Sequence, residues 1–101
     1  MSDWMRVASL DEIPEGGLRV LAGDEEILLV RAAAGIRAMA YLCSHQELAL
    51  EGGCEEGGSW ICPHHGAKFS LETGEALSMP AISGVQLFQV KEESGSVYVM
   101  L

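Results

Sequence analysis

No stretch of this chain keeps a helical period for longer than about two turns, which bounds the fold before any single residue matters. Short apolar runs recur instead at roughly 8–12-residue intervals, cut by glycine and charge, as in an antiparallel sandwich or barrel. The last run shows the two-residue period: Val97, Val99 and Leu101 share one face while Tyr98 and Met100 take the other. The same reading predicts strands over 4–8, 18–22, 26–33, 36–42, 59–61, 85–91 and 96–101, with a short one near 68–71. Turn signals separate them. "GDE" marks one hairpin, residues 93–95 mark another, and Pro14 with Gly16 and Gly17 ends a brief helical turn around 11–13. "ETGEAL" reads as a further turn and strand. The outcome is an all-β base, residues 1–40 and 81–101, carrying an excursion over about 41–80.

At 101 residues there is material for one domain, and 49% hydrophobic with 21% charged residues is ordinary globular composition. The apolar blocks, such as 27–30 and 97–101, fall far short of the roughly 20 residues that span a bilayer. The opening "MSDWMRVASLDEI" carries Asp3, Asp11 and Glu12 and has no apolar core, so no signal peptide is expected and the cytoplasm is the expected compartment. A net charge of -9 argues against nucleic acid and against anionic membrane, since phosphate would repel the chain. It favours a partner with a basic face, with plain solubility as the alternative.

All three cysteines and all three histidines lie in one stretch, "YLCSHQELALEGGCEEGGSWICPHHGAKF". Three cysteines cannot complete a set of internal disulfides, which leaves metal binding or inert burial. Two hooks stand out, Cys43-Ser44-His45 and Cys62-Pro63-His64-His65, with sixteen residues between His45 and Cys62. In an extended segment Cys43 and His45 point the same way. Cys62 and His65, three apart, need a turn, which Pro63 favours, and Gly66 lets the backbone pass close to whatever is bound. Zinc accepts such ligands, but its usual arrangement pairs cysteine with cysteine and histidine with histidine. One cysteine and one histidine per hook suits a dinuclear cluster with unlike ends, as in a Rieske [2Fe–2S] centre.

"CSH" followed by "WICPHHGAKF" resembles the C-x-H and C-x-x-H boxes of Rieske iron–sulfur proteins. "ETGEALSMPA" and the closing apolar strands are similar to that family too, so the resemblance covers nearly the whole chain. It implies a Rieske-type antiparallel β-sandwich or barrel base with a smaller cluster-binding subdomain at 41–80. It also implies one [2Fe–2S] cluster per chain, with Cys43 and Cys62 on the inner iron and His45 and His65 on the outer, exposed one. Two departures place the chain within the family. Respiratory-chain members carry an extra cysteine in each loop, joined as a brace, where the second box here has His64. They also carry a serine and a tyrosine that donate hydrogen bonds to sulfur, where this chain has Ala67 and Phe69, which cannot donate. Fewer donors imply a reduction potential toward the low end of the Rieske range, as in the soluble ferredoxins of bacterial oxygenases.

Other residues have ordinary roles. Cys54 reads as a small buried residue or a surface thiol in a loop, and His64 as a surface residue near the cluster. Trp60 is packing for the cluster loops, Pro80 a turn or a cover over the cluster, and Gly52, Gly53, Gly57 and Gly58 tight turns. Glu47, Glu51, Glu55 and Glu56 form a solvated loop or a docking rim for a basic partner. No catalytic constellation appears, because a Cys62–His65 nucleophile pair would leave the first hook unexplained. The expected function is that of a monomeric one-electron carrier between a flavin-containing reductase and a ring-hydroxylating dioxygenase or di-iron monooxygenase. The alternatives are a Rieske-like small subunit of a redox enzyme such as assimilatory nitrite reductase, and a zinc-stabilised interaction module.

Overall fold

In the computed structural model, which describes residues 4–32, 35–42, 50–63, 66–77 and 84–100, the chain forms two antiparallel sheets. The larger comprises β1 (Trp4–Ser9), β2 (Leu18–Ala22), β3 (Glu25–Ala32), β4 (Gly35–Ala40), β8 (Leu87–Glu93) and β9 (Ser96–Met100), in the order β1-β9-β8-β4-β3-β2. The smaller comprises β5 (Cys54–Glu56), β6 (Ser59–Ile61) and β7 (Lys68–Ser70), with β6 in the centre. The all-β reading holds. No helix among the described residues is long and apolar enough to cross a membrane.

Tight turns set the registers. Ala22 pairs with Glu25, so Gly23 and Asp24 alone form the connection, with Gly23 at φ 63° where a II′ hairpin takes glycine. Glu93 pairs with Ser96, and both connecting residues, Ser94 and Gly95, have positive φ, as a I′ turn requires. A bulge between Arg6 and Ala8 bends β1 along β9. The turn at Leu10–Glu12 is 3₁₀ and is held to β3 by Arg31, whose guanidinium donates to the carbonyls of Ile13 (2.9 Å) and Leu10 (2.6 Å).

The positioning feature is β3. Its residues Ile27, Leu28, Leu29 and Val30 are all buried, so the middle of the strand has no solvent face. Ile27 and Leu29 pack with Ala22, Ile36, Ala38, Val97 and Val99 inside the large sheet. Leu28 and Val30 face the other way, into a second core with Met39, Leu50, Trp60, Cys62, Phe69, Leu71 and Val85. Each such side chain contributes about 1.5–3 kcal/mol by leaving water. A continuous apolar run in an antiparallel sheet thus marks a strand shared by two cores.

Three differences from the sequence expectation have local causes. "EGGCEEGG" contains a strand, β5, because Gly57 and Gly58 both take positive φ and turn Glu56 back onto Ser59. "ETGEAL" yields a turn and one isolated bridge, Phe69 to Ala76, instead of a strand. And β8 begins at Leu87, since the Val85 N–H is taken by Gly74 C=O (2.8 Å).

Candidate metal centre

The second cysteine–histidine box is the loop of the β6–β7 hairpin. Trp60 pairs with Phe69 and Ile61 with Lys68, leaving residues 62–67 as the connection. The loop is closed by its own backbone: Cys62 N–H donates to Ala67 C=O (2.8 Å) and Gly66 N–H donates to Cys62 C=O (3.1 Å). Gly66 holds φ 72°, a left-handed conformation that glycine adopts without strain. Cys62 is 1% exposed, and Ala67 and Phe69 beside it are buried in the same apolar core.

The residues that flank the first box, Tyr41 and Leu50, pack in that same core. Leu50 N–H donates to Tyr41 C=O (2.8 Å), which ties together the two residues on either side of the first box. The Leu50 side chain is buried beside Trp60 and Cys62. Its carbonyl accepts the Trp60 indole N–H at 2.9 Å and, at 3.3 Å, the Gly53 N–H. Gly52 N–H reaches Gly16 C=O (2.7 Å), so the segment after the 3₁₀ turn also grips this stem.

Outside the core, Tyr41 donates its hydroxyl to the Glu51 carboxylate (2.9 Å). That hydrogen bond, and then burial, raises the phenol above its ordinary value. Arg19 stacks 5.4 Å from the Tyr41 ring centre and forms a 2.7 Å ion pair with Glu26, whose hydrogen bond raises the guanidinium further. The acidic stretch has local partners as well: Glu55 accepts the Gly58 N–H (3.0 Å) and Glu56 pairs with Lys68 (3.5 Å). Such exposed pairs are worth about 1 kcal/mol or less.

Of the four expected ligands, Cys62 is described. Cys43, His45 and His65 lie outside the described residues, as do His64, Pro80 and Glu47. Cys54 is an exposed thiol, but on β5 and not in a loop. The described parts fit a cluster held between two loops. Each loop is pinned at its base, the bases meet in one core, and that core places a buried thiol at the end of β6. Two features of this frame escaped the sequence reading, the Trp60–Leu50 bond and the Tyr41–Glu51 bond. Their signal was an indole and a phenol beside glycine-rich ligand loops, each carrying one polar atom in need of a partner.

Residues 3–89 match the Rieske [2Fe-2S] domain family. This chain belongs to that family. Its cofactor is therefore a [2Fe–2S] cluster. Among curated relatives, the 3-phenylpropionate/cinnamic acid dioxygenase ferredoxin subunit of Photorhabdus laumondii is 32% identical over 94 residues, covering 92% of this chain and 90% of its own. The ferredoxin component of an alkene monooxygenase system from Xanthobacter autotrophicus is 33% identical over 99 residues, covering 96% and 80%. Among solved structures, the ferredoxin of carbazole 1,9a-dioxygenase from Nocardioides aromaticivorans superimposes with a TM-score of 0.85 at 27% identity, covering 95% of each chain.

Proposed function

We propose that this Rieske protein is a soluble one-electron carrier, taking electrons from a flavin-containing reductase and passing them to a multicomponent oxygenase. The observation that carries the reading is the buried Cys62 in a hairpin loop closed by its own backbone, in the same core as the base of the first box. In this reading residues 41–80 form the cluster-binding part of a single domain, on a base of 1–40 and 81–101. Cys43 and Cys62 hold the inner iron, and His45 and His65 hold the outer. The cluster supplies reversible one-electron exchange.

The chain's own residues supply the rest. The Tyr41–Leu50 and Cys62–Ala67 backbone bonds fix the loop bases, and Trp60, Phe69 and Leu71 exclude water from the thiol side. Ala67 and Phe69 offer no hydroxyl, which favours a low potential. The charge of -9 steers a basic partner to the surface, in the weak, salt-sensitive manner of small redox encounters. Relatives named for a dioxygenase and for a monooxygenase support the oxygenase class without choosing between them.

Purified protein should be red-brown and give a rhombic paramagnetic signal on reduction. The His45→Ala variant should lose that signal. A colourless protein holding zinc and no acid-labile sulfide after anaerobic reconstitution would overturn the proposal. Gel filtration separates a carrier, which elutes as a monomer, from a permanent subunit of a nitrite reductase-like enzyme.

A further inference from the structure

We propose that Trp60 is a positioning residue for the cluster: its indole N–H, bound to the Leu50 carbonyl, locks the stem of the first ligand loop to the strand that delivers Cys62. The inference rests on the Rieske ligand set above and assigns to this chain a device that set does not contain.

A cluster shared between two loops needs those loops held at a fixed separation in both oxidation states. Each box is bracketed by a backbone bond, the first by Leu50 N–H to Tyr41 C=O and the second by Cys62 N–H to Ala67 C=O. These bonds bring together the two ends of each segment and say nothing about the distance between the segments. That distance is set where the two closures touch. Trp60 has its backbone on the strand that leads into one, two residues before Cys62 at the centre of the small sheet, and its indole against the other, at Leu50.

The bond is built for rigidity. Trp60 and Leu50 have no solvent exposure, so no water competes for the indole proton. Leu50 is held at both ends of its peptide environment, its N–H by Tyr41 and its C=O by Trp60. Gly53 completes the seat, because a Cβ there would lie 2.9 Å from the indole nitrogen. The other acceptor bond at Leu50, from Gly53, is longer at 3.3 Å and comes from the same stem, so it cannot tie the two loops together. Tyr41 adds an outer tie through Glu51, closing the first stem from the solvent side. A ring of the same shape without the N–H would still fill the core and would leave the loops to find their separation through packing and the β5–β6 ladder, Cys54 on Ile61.

The test compares wild-type holoprotein with protein carrying benzothienylalanine at position 60, which keeps the ring's shape and lacks the N–H, and with Trp60→Phe. The readouts are the first-order loss of visible absorbance in excess chelator at 25 °C and the g-values of the reduced form. The isostere should load its cluster and lose it about ten-fold faster, the equivalent of one buried hydrogen bond, with a shifted or broadened signal. Tyr41→Phe, which removes only the outer tie, should speed loss about two- to three-fold, as expected for a partly exposed bond. Val99→Ala, in the core inside the large sheet, should lower the unfolding midpoint and leave both cluster readouts at wild-type values. An isostere with wild-type loss rate and g-values overturns the inference while the carrier reading stands. So does a Val99→Ala variant that bleaches as fast as the isostere, since general destabilisation would then explain both. A wild-type protein with no cluster instead removes the reading on which the inference rests.

Discussion

Adding one methyl group at Gly53 should damage this protein more than any other glycine-to-alanine change in the glycine-rich segment. A Cβ there would sit 2.1 Å from the Ile61 carbonyl oxygen and 2.9 Å from the Trp60 indole nitrogen, against an ordinary contact distance of 3.4 Å or more. Ile61 cannot retreat, because its strand is paired on both sides, with Cys54 and with Lys68. Relief has to come from swinging β5 away from β6 and tilting the indole off Leu50. Overpacking of this kind costs about 1–3 kcal/mol, and a weakened Trp60–Leu50 bond about 1 kcal/mol more. The sum, about 2–4 kcal/mol, is a large part of the roughly 5–15 kcal/mol that keeps such a domain folded. Urea titration followed by tryptophan fluorescence and far-ultraviolet dichroism measures it. At a slope of about 2 kcal/mol per molar, the midpoint should fall by about 1–2 M. Gly58→Ala is the comparison: φ 87° with nothing within 4 Å, where only backbone strain of about 1–2 kcal/mol applies. A Gly53→Ala protein no less stable than Gly58→Ala would refute the steric argument and the rigid seat for Trp60 with it.

Leu29→Ala, buried inside the large sheet, should lose about 2–5 kcal/mol by denaturation while the visible spectrum of the folded protein stays unchanged, since Leu29 faces away from Cys62. Cys54→Ser should leave iron and sulfide content at wild-type levels; a fall by half would bring this exposed thiol into the ligand set. Phe69→Tyr should raise the reduction potential by about 20–60 mV in voltammetry, the worth of one net hydrogen bond, and an unchanged potential would mean that the new hydroxyl finds no sulfur acceptor. Electron transfer to a basic partner should slow steeply as ionic strength rises from about 0.01 to 0.15 M, where the screening length falls from roughly 30 to 8 Å, and a flat profile would count against steering.

The fold was legible where the sequence repeats a local rule. Residues 18–22 and 59–61 were placed to the residue because turn signals bracket them, and the glycines at 57 and 58 do form a two-residue turn. Those same glycines hid β5, since Cys54–Glu56 is short, acidic and exposed at both ends and has no apolar alternation to announce it. At 27–30 the alternation disappears for the opposite reason: both faces of β3 are buried, and pairing of two cores is a tertiary fact. The boxes themselves were legible from residue type and spacing. The Trp60–Leu50 tie was not, because its acceptor is a backbone carbonyl ten residues away, and every residue has one.

Because Trp4 lies opposite Met100 across the β1–β9 pair, the chain enters and leaves the large sheet at neighbouring points. A tensile load applied at those two positions would peel the outermost strand from its neighbour one rung after another, since the rungs of an antiparallel ladder run perpendicular to the strands and open singly under such a pull. Tethered by its ends, this protein should be mechanically soft. The same proximity lets the unit be spliced into a surface loop of a host protein with both junctions side by side and its loop bases undisturbed.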